Sequence, residues 1–140
     1  AGSSHIIHLH GELTKVCSSR DPHNPHYIKE LKPEEYEVKM GDKAGDGTQL
    51  RPFIVWFGEA VPEIETAIQY VEKADIFVII GTSLNVYPAA GLLHYVPRGA
   101  EVYLIDPKPV DTHTSRSIHV LRKGASEGVE ELKQLLIPVP

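Results

Sequence analysis

The chain has 140 residues, 41% hydrophobic and 24% charged, with a formal net charge of −5 at pH 7. That length suits one domain or a large piece of one, and the composition is that of an ordinary soluble globular protein. No apolar run approaches the roughly 20 residues of a bilayer span, and the negative balance argues against a nucleic-acid backbone as partner, because phosphate binding needs a basic surface.

The opening Ala1-Gly2-Ser3-Ser4 has neither a basic nor an apolar signal region, so no secretory leader is expected there. The single cysteine, Cys17, excludes an internal disulfide and points to a reducing compartment, expected to be the cytoplasm. Ile6-Ile7-His8-Leu9-His10 is a short apolar run ending at Gly11 and reads as a strand leading into a turn. Residues 20–49 are charged, hold Pro22, Pro25 and Pro33, and end in the turn-rich stretch from Gly41 to Gly47. With so little periodicity they form a loop excursion or small subdomain outside the core, with one helical turn expected over 27–32.

Core signals resume at Leu50. Phe53-Ile54-Val55-Trp56-Phe57, stopped by Gly58, reads as a strand buried on both faces. Pro62 suits a first helical position. Ile64, Ala67, Ile68 and Val71 then recur at i, i+3, i+4 and i+7, one apolar helical face. Residues 76–80 are the most hydrophobic strand and run into Gly81-Thr82-Ser83. A second helix is expected over 88–95, with Leu92, Leu93 and Val96 as its apolar set. Strands follow over 101–106 and 118–121. The last element is an amphipathic helix over 127–136 burying Val129, Leu132 and Leu136. From Phe53 on, this alternation predicts an α/β fold, a parallel sheet covered by helices.

In such sheets ligands bind beyond the carboxyl ends of the strands. Three strand ends carry suitable residues. Gly81 allows close backbone approach, and the hydroxyls of Thr82 and Ser83 can donate to phosphate or ribose. The helix starting near Pro88 would add free N–H groups and a positive dipole end. Asp106 can accept from ribose hydroxyls, and Gly124-Ala125-Ser126 leaves room for a flat ring. The same Gly-Thr-Ser turn also serves as plain turn and cap chemistry, and the Gly-x-Gly-x-x-Gly fingerprint is absent. His10 has the residue chemistry of a proton-transfer group, and equally of a structural histidine at a strand end. His8 and His10 share one strand face, but no third ligand has sensible spacing nearby, so no metal is expected there. Trp56-Phe57-Gly58-Glu59 can wall an apolar channel or simply pack.

Taken together, His10-Gly11-Glu12-Leu13, the run from Leu50 to Glu59, and Gly81-Thr82-Ser83-Leu84-Asn85-Val86-Tyr87-Pro88-Ala89-Ala90 strongly resemble the sirtuins, the NAD-dependent protein lysine deacylases, and most of all their bacterial branch. The resemblance spans about residues 1–134 except 20–49. It implies an α/β fold, a Rossmann-like parallel sheet with helices on both faces. His10 matches the general base that deprotonates a hydroxyl of the nicotinamide ribose. Val55, Phe57, Gly58 and Glu59 match the loop that pairs with the substrate backbone and lines the acyl-lysine tunnel. Val86 matches the segment on the peptide's other side, so that the peptide adds as a strand. Gly81, Thr82 and Ser83 match contacts to the NAD ribose and phosphate, Asp106-Pro107-Lys108 the adenosine-ribose loop, and Ala125 the adenine side. The implied reaction turns NAD and an acyl-lysine peptide or protein into free lysine, nicotinamide and 2′-O-acyl-ADP-ribose. Other readings of the same residues are a non-catalytic NAD or ADP-ribose-binding module and an NAD-dependent mono-ADP-ribosyltransferase.

Three departures from the family pattern carry expectations. Sirtuins usually hold a structural zinc with two Cys-x-x-Cys pairs, whereas Cys17 here precedes Ser18-Ser19-Arg20 and stands alone. No zinc is expected, with a loop over 20–49 in place of the zinc module. Asp106 stands where the family usually has Asn, adding charge near the diphosphate, with Lys108 placed to offset it. The glycine-rich Gly-Ala-Gly-x-Ser loop and the Gln-Asn-x-Asp segment do not occur, and Ala1-Gly2-Ser3 resembles a stretch just downstream of them. The expected organisation is therefore a carboxyl-terminal half: residues 1–19 with the histidine, 20–49 as the excursion, and 50–140 as the rest of the NAD-binding domain. The amino-terminal half would be a needed partner, the isolated chain would be inactive, and the strand over 76–80 would present an unpaired apolar edge.

Overall fold

The computed structural model describes residues 2–137. The backbone gathers into two units, Ala1–Glu63 and Ile64–Pro140.

The first unit is built on an antiparallel sheet. Its strands are β1 (Gly11–Ser18), β2 (Lys29–Glu30) and β3 (Leu50–Ile54), in the order β2-β1-β3. β1 pairs with β3 from Gly11 opposite Ile54 to Ser18 opposite Leu50, with a register shift between Glu12 and Val16. That irregularity leaves the first half of β1 half-exposed and buries its end, Val16, Cys17 and Ser18.

Three expectations are corrected here. The segment before Gly11 is not a strand. Gly11 donates its amide to the His8 carbonyl at 3.1 Å and Leu9 to that of Ile7, so 7–11 is a tight turn and the strand begins after it. The apolar run over 53–57 is not a doubly buried parallel strand. β3 ends at Ile54, pairs antiparallel with β1, and is half-buried throughout. Trp56 and Phe57 lie beyond it, 53% and 95% exposed. The helical turn expected over 27–32 falls earlier, as a 3-10 turn at Pro25–Tyr27. Pro25 pre-sets its backbone, and the Asn24 side chain accepts from the His26 amide. Lys29 and Glu30 instead pair with β1.

The second unit holds the parallel sheet β4 (Ile76–Ile80), β5 (Glu101–Ile105) and β6 (His119–Leu121), in the order β4-β5-β6. β5 is central and buried from Val102 to Ile105. Side chains alternate across a strand, and here each face has its own cover. Val102, Leu104 and Ile79 pack with Val71 of α1 (Ile64–Val71) and with Ala90 and Leu93 of a 3-10 helix, Ala89–Tyr95. On the other face, Tyr103 and Ile105 pack with Leu132 and Leu136 of α2 (Ala125–Leu136). Helices therefore cover both faces, as expected of this α/β fold. α2 approaches so closely that a Cβ on Gly128 would stand 2.2 Å from Ile105 Cγ2.

Three details differ from expectation. Pro62 lies two residues before α1, in the turn that leads into it. The segment expected as a helix over 88–95 winds as a 3-10 helix. In α2 it is Gly128 and Leu132 that are buried, while Val129 is 43% exposed, because the close approach turns the glycine rather than the valine to the sheet.

Candidate functional site

In the first unit the structure joins two of the sequence-selected segments directly. Val55 donates its amide to the His10 carbonyl at 3.0 Å, which ties His10 to the root of the loop over 55–59. The next residue, Gly11, has a φ of +84°, and a Cβ there would stand 2.1 Å from the Phe53 carbonyl oxygen. Only glycine fits, since L side chains avoid this region and the neighbour is backbone. The His10 side chain is exposed. Nearby, Glu12 accepts from Lys15 Nζ at 2.7 Å and lies 3.7 Å from His8 Nε2. The Lys15 hydrogen bond holds the Glu12 carboxyl below its ordinary value.

The loop carrying Phe57 and Gly58 is shaped by Glu59. Its carboxylate takes both arms of the Arg51 guanidinium, Nη1 to Oε1 at 2.6 Å and Nη2 to Oε2 at 2.9 Å. It also accepts the Trp56 amide at 2.9 Å. Charge-assisted forks of this kind are the strong class of hydrogen bond. The Arg51 bond is the main reason that the Glu59 carboxyl lies far below its ordinary value, at about 2. Arg51 also donates to the Ile54 carbonyl at 2.8 Å, and its guanidinium carbon lies 5.8 Å from the Trp56 ring centroid. Arg51 was not among the residues singled out from sequence. The available signal was a cation and an anion eight residues apart, flanking a strand end and a glycine turn. A pocket of about 170 Å³ opens beside this region, lined by Leu9, Gly11, His23, Phe53, Ile54 and Val55 among others.

The excursion over 20–49 is fastened at Ser18. This fully buried hydroxyl donates to Asp46 Oδ2 at 2.7 Å and accepts the amides of Arg20 and Asp21, each at 3.0 Å. Asp46 in turn accepts from the Thr48 hydroxyl at 2.7 Å and amide at 3.0 Å, and these bonds with that of Ser18 bring its carboxyl down to about 2. A four-cysteine zinc site does not fit these residues. Cys17 is the chain's one cysteine, it is buried with its thiol 3.7 Å from the Pro52 carbonyl, and burial pushes its pKa up, which disfavours the thiolate a metal needs.

In the second unit the three expected turns follow the three parallel strands. Gly81, after β4, has a φ of +63° with open space where a Cβ would be, and donates its amide to the Ile105 carbonyl at 3.0 Å. The Thr82 hydroxyl accepts the Leu84 amide at 3.2 Å, and Ser83 is exposed. Leu84 itself is buried at a φ of 55°, a region leucine rarely adopts, which marks this turn as strained. Hydrophobicity alone does not signal that. After β5, Asp106 accepts the Lys108 amide at 2.8 Å, a local turn with Pro107 and Lys108 exposed. After β6, Gly124 caps α2 without a side-chain bond and Ala125 is exposed. Val86 is 43% exposed. The expectation of free amides near Pro88 is corrected: Ala90 donates to Val86 at 2.8 Å and Gly91 to Pro88 at 2.9 Å. The open glycine backbone, the adjacent hydroxyls and the start of α2, which has no side-chain cap, are groups with the chemistry to bond a polar or anionic ligand.

A family model described as the Sir2 family matches residues 1–88. The chain is 96% identical over all 140 residues to an NAD-dependent protein deacylase of Bacteroides thetaiotaomicron and covers 60% of that protein. It is 44% identical over 137 residues to an NAD-dependent protein deacylase of Helicobacter pylori, covering 98% of this chain and 57% of the relative. Among solved structures, a mutant Sir2 homologue in complex with ADP ribose matches with a TM-score of 0.78 at 33% identity, over 99% of this chain and 57% of that one. A Sir2 homologue in complex with NAD matches with a TM-score of 0.74 at 31% identity, over 97% and 54%. The chain thus spans less than two thirds of the length of these relatives.

Proposed function

The chain belongs to the Sir2 family, and from that premise we propose that it is the carboxyl-terminal portion of an NAD-dependent protein lysine deacylase. The reaction assigned takes an acyl-lysine peptide or protein, NAD and one water to the peptide with its lysine amine freed, nicotinamide and 2′-O-acyl-ADP-ribose. NAD supplies the ribose carbon that receives the acyl oxygen and loses nicotinamide. His10 accepts a proton from a hydroxyl of that ribose. Val55, Phe57, Gly58 and Glu59 receive the peptide as an added strand, with Val86 on its other side. Gly81, Thr82 and Ser83 hold ribose and phosphate, Asp106, Pro107 and Lys108 the adenosine ribose, and Ala125 the adenine side. The buried free thiol of Cys17 supports a reducing, cytoplasmic setting. β4 lies at a sheet edge with Ile76 and Ile80 more than 40% exposed. That edge supports pairing with a strand from the amino-terminal half of the same domain, and the chain spans only 60% of the first relative.

One observation carries the catalytic part of this reading: the 3.0 Å bond from the Val55 amide to the His10 carbonyl. It joins the backbone of the proposed base to the root of the proposed peptide loop, which supports the two acting on one bound substrate. The NAD and ADP-ribose complexes of structural neighbours support the cofactor. The test is nicotinamide release from NAD by the full-length protein with acyl-lysine peptides. Release should require peptide and fall about 10²- to 10⁴-fold in His10→Ala, the usual worth of a general base. Release that persists in His10→Ala overturns the assignment. Binding of NAD without release would indicate a binding module, and label transfer to protein an ADP-ribosyltransferase.

A further inference from the structure

We propose that Arg51 is a positioning residue for peptide recognition: through Glu59 it fixes the 55–59 loop in the form that receives the acyl-lysine peptide. The inference rests on the deacylase reading above. Beyond the Val55 bond to the His10 carbonyl at its root, the turn from Trp56 to Glu59 has little else to hold it. Phe57 is 95% exposed, and nothing lies within 4 Å of where a Cβ of Gly58 would be, at a φ of +90°. One backbone bond closes the turn, from the Glu59 amide to the Trp56 carbonyl at 3.0 Å. An extended peptide gains affinity from main-chain bonds only if the receiving strand is already in place, since ordering it on binding costs free energy.

Arg51 supplies that order from a fixed base. It sits in β3 opposite Cys17, a fully buried residue of β1, and its own side chain is 18% exposed. Its planar fork reaches three acceptors at once: Glu59 Oε1, Glu59 Oε2 and the Ile54 carbonyl. Glu59 passes the constraint on by accepting the Trp56 amide. The loop is therefore gripped at its root, at Ile54, and at both ends of its turn, Trp56 and Glu59. A lysine offers one compact charge and no fork, so it would hold Glu59 without also holding Ile54 in the same geometry.

The test compares Arg51→Gln, Arg51→Lys and Glu59→Gln in the full-length protein. Arg51→Gln should raise the KM for acyl peptide about tenfold, the worth of roughly one lost charge-assisted hydrogen bond. The KM for NAD and kcat should change far less. Arg51→Lys should recover part of the loss, and Glu59→Gln should reproduce it, which keeps the question answerable if Arg51→Gln does not fold. A lower melting temperature with an unchanged peptide KM would make Arg51 merely structural and overturn the proposal. An independent readout uses Trp56, the only tryptophan of these 140 residues, in a full-length background with any tryptophan outside them replaced by phenylalanine. Acrylamide quenching of its fluorescence should increase in Arg51→Gln, and unchanged quenching overturns the clamp. If the wild-type protein shows no peptide-dependent nicotinamide release, the functional reading fails and takes the peptide role with it, while the quenching result separately decides whether Arg51 holds the loop.

Discussion

Replacing Ser18 with alanine removes one oxygen atom from a fully buried position at the end of β1. The hydroxyl has one proton and two lone pairs, and all three are used. The proton goes to Asp46 Oδ2, and the lone pairs take the amides of Arg20 and Asp21. Thr48 Oγ1 lies 2.9 Å from the same oxygen, but its proton is directed to Asp46 Oδ1 at 2.7 Å. Alanine therefore strands two amides and one carboxylate oxygen at the point where the excursion over 20–49 leaves the sheet. At about 1 kcal/mol for each neutral bond and somewhat more for the charge-assisted one, Ser18→Ala should cost about 3 kcal/mol. For a domain of this size that is a fall in Tm of roughly 10 °C.

Thermal and urea unfolding of the protein measure the loss, and hydrogen exchange locates it. The amides of Arg20 and Asp21 should lose protection while those within β5 keep theirs. Ser19→Ala, at the exposed neighbour, is the control and should fall within the ~0.5 kcal/mol of an ordinary surface change. A loss in Ser18→Ala no larger than in that control would refute the reasoning.

Gly11→Ala should cost about 2 kcal/mol or more, because it places a side chain at positive φ against the Phe53 carbonyl; nicotinamide release should fall with it, since His10 is the preceding residue. Gly128→Ala, which in an ordinary helix interior would stabilise, should instead destabilise by about 1–3 kcal/mol through contact with Ile105. Its combination with Ile105→Ala should cost less than the two single changes summed, measurable by urea denaturation. Glu59 and Asp46 both have carboxyls near 2 in the folded chain against ordinary values of 4.5 and 3.8. The stability they give is thus fully present above about pH 4.5 and is lost as the pH falls toward 2; acid titration of Glu59→Gln and Asp46→Asn should show a shallower loss across that window. The isolated 140-residue chain should associate along the open edge of β4 in a concentration-dependent way, and a monodisperse monomer by light scattering at high concentration would contradict this.

The parallel sheet was legible because its signal is local. Phe77 to Ile80 and Val102 to Ile105 are continuous apolar runs, and only a strand covered on both faces explains β5. The strand ends, and with them Gly81, Thr82, Ser83 and Asp106, followed from that reading. The antiparallel sheet was not legible, because it depends on pairing between segments some forty residues apart. Gly11-Glu12-Leu13-Thr14-Lys15 has no clean alternation, and a turn at Leu9-His10 moves the strand downstream of the apolar run. Trp56 and Phe57 misled for a different reason. Hydrophobicity reports what a side chain gains by burial, not whether the fold buries it, and a loop that exposes aromatics reads like a core strand. The role of Arg51 depends on its fork onto Glu59, a contact between side chains eight residues apart that no local pattern encodes.

The two units are held by different physics, and this bears on how each one fails. Among the described residues, the buried hydrophobics of the first unit are Val16, Cys17 and Ala44, whereas the second buries both faces of β5 under three helical segments. The first unit therefore depends on directional fastenings: Ser18 to Asp46, Arg51 to Glu59, and Gln49, which accepts from the Gly41 amide and donates to the Lys39 and Leu50 carbonyls. Hydrogen bonds fix position sharply but stabilise little in net terms, while apolar burial stabilises strongly with little directional preference. Substitutions at the fastenings should accordingly displace loops, and with them the proposed peptide recognition, before they unfold anything. Truncations in the second core, such as Leu104→Ala, should lower global stability by about 2–5 kcal/mol as cavities do, without first changing how the loop over 55–59 is held. On the proposed reading, in which this unit presents His10 and an exposed aromatic loop in fixed geometry, polar fastenings serve it better, because a larger apolar core at that place would bury the groups to be displayed.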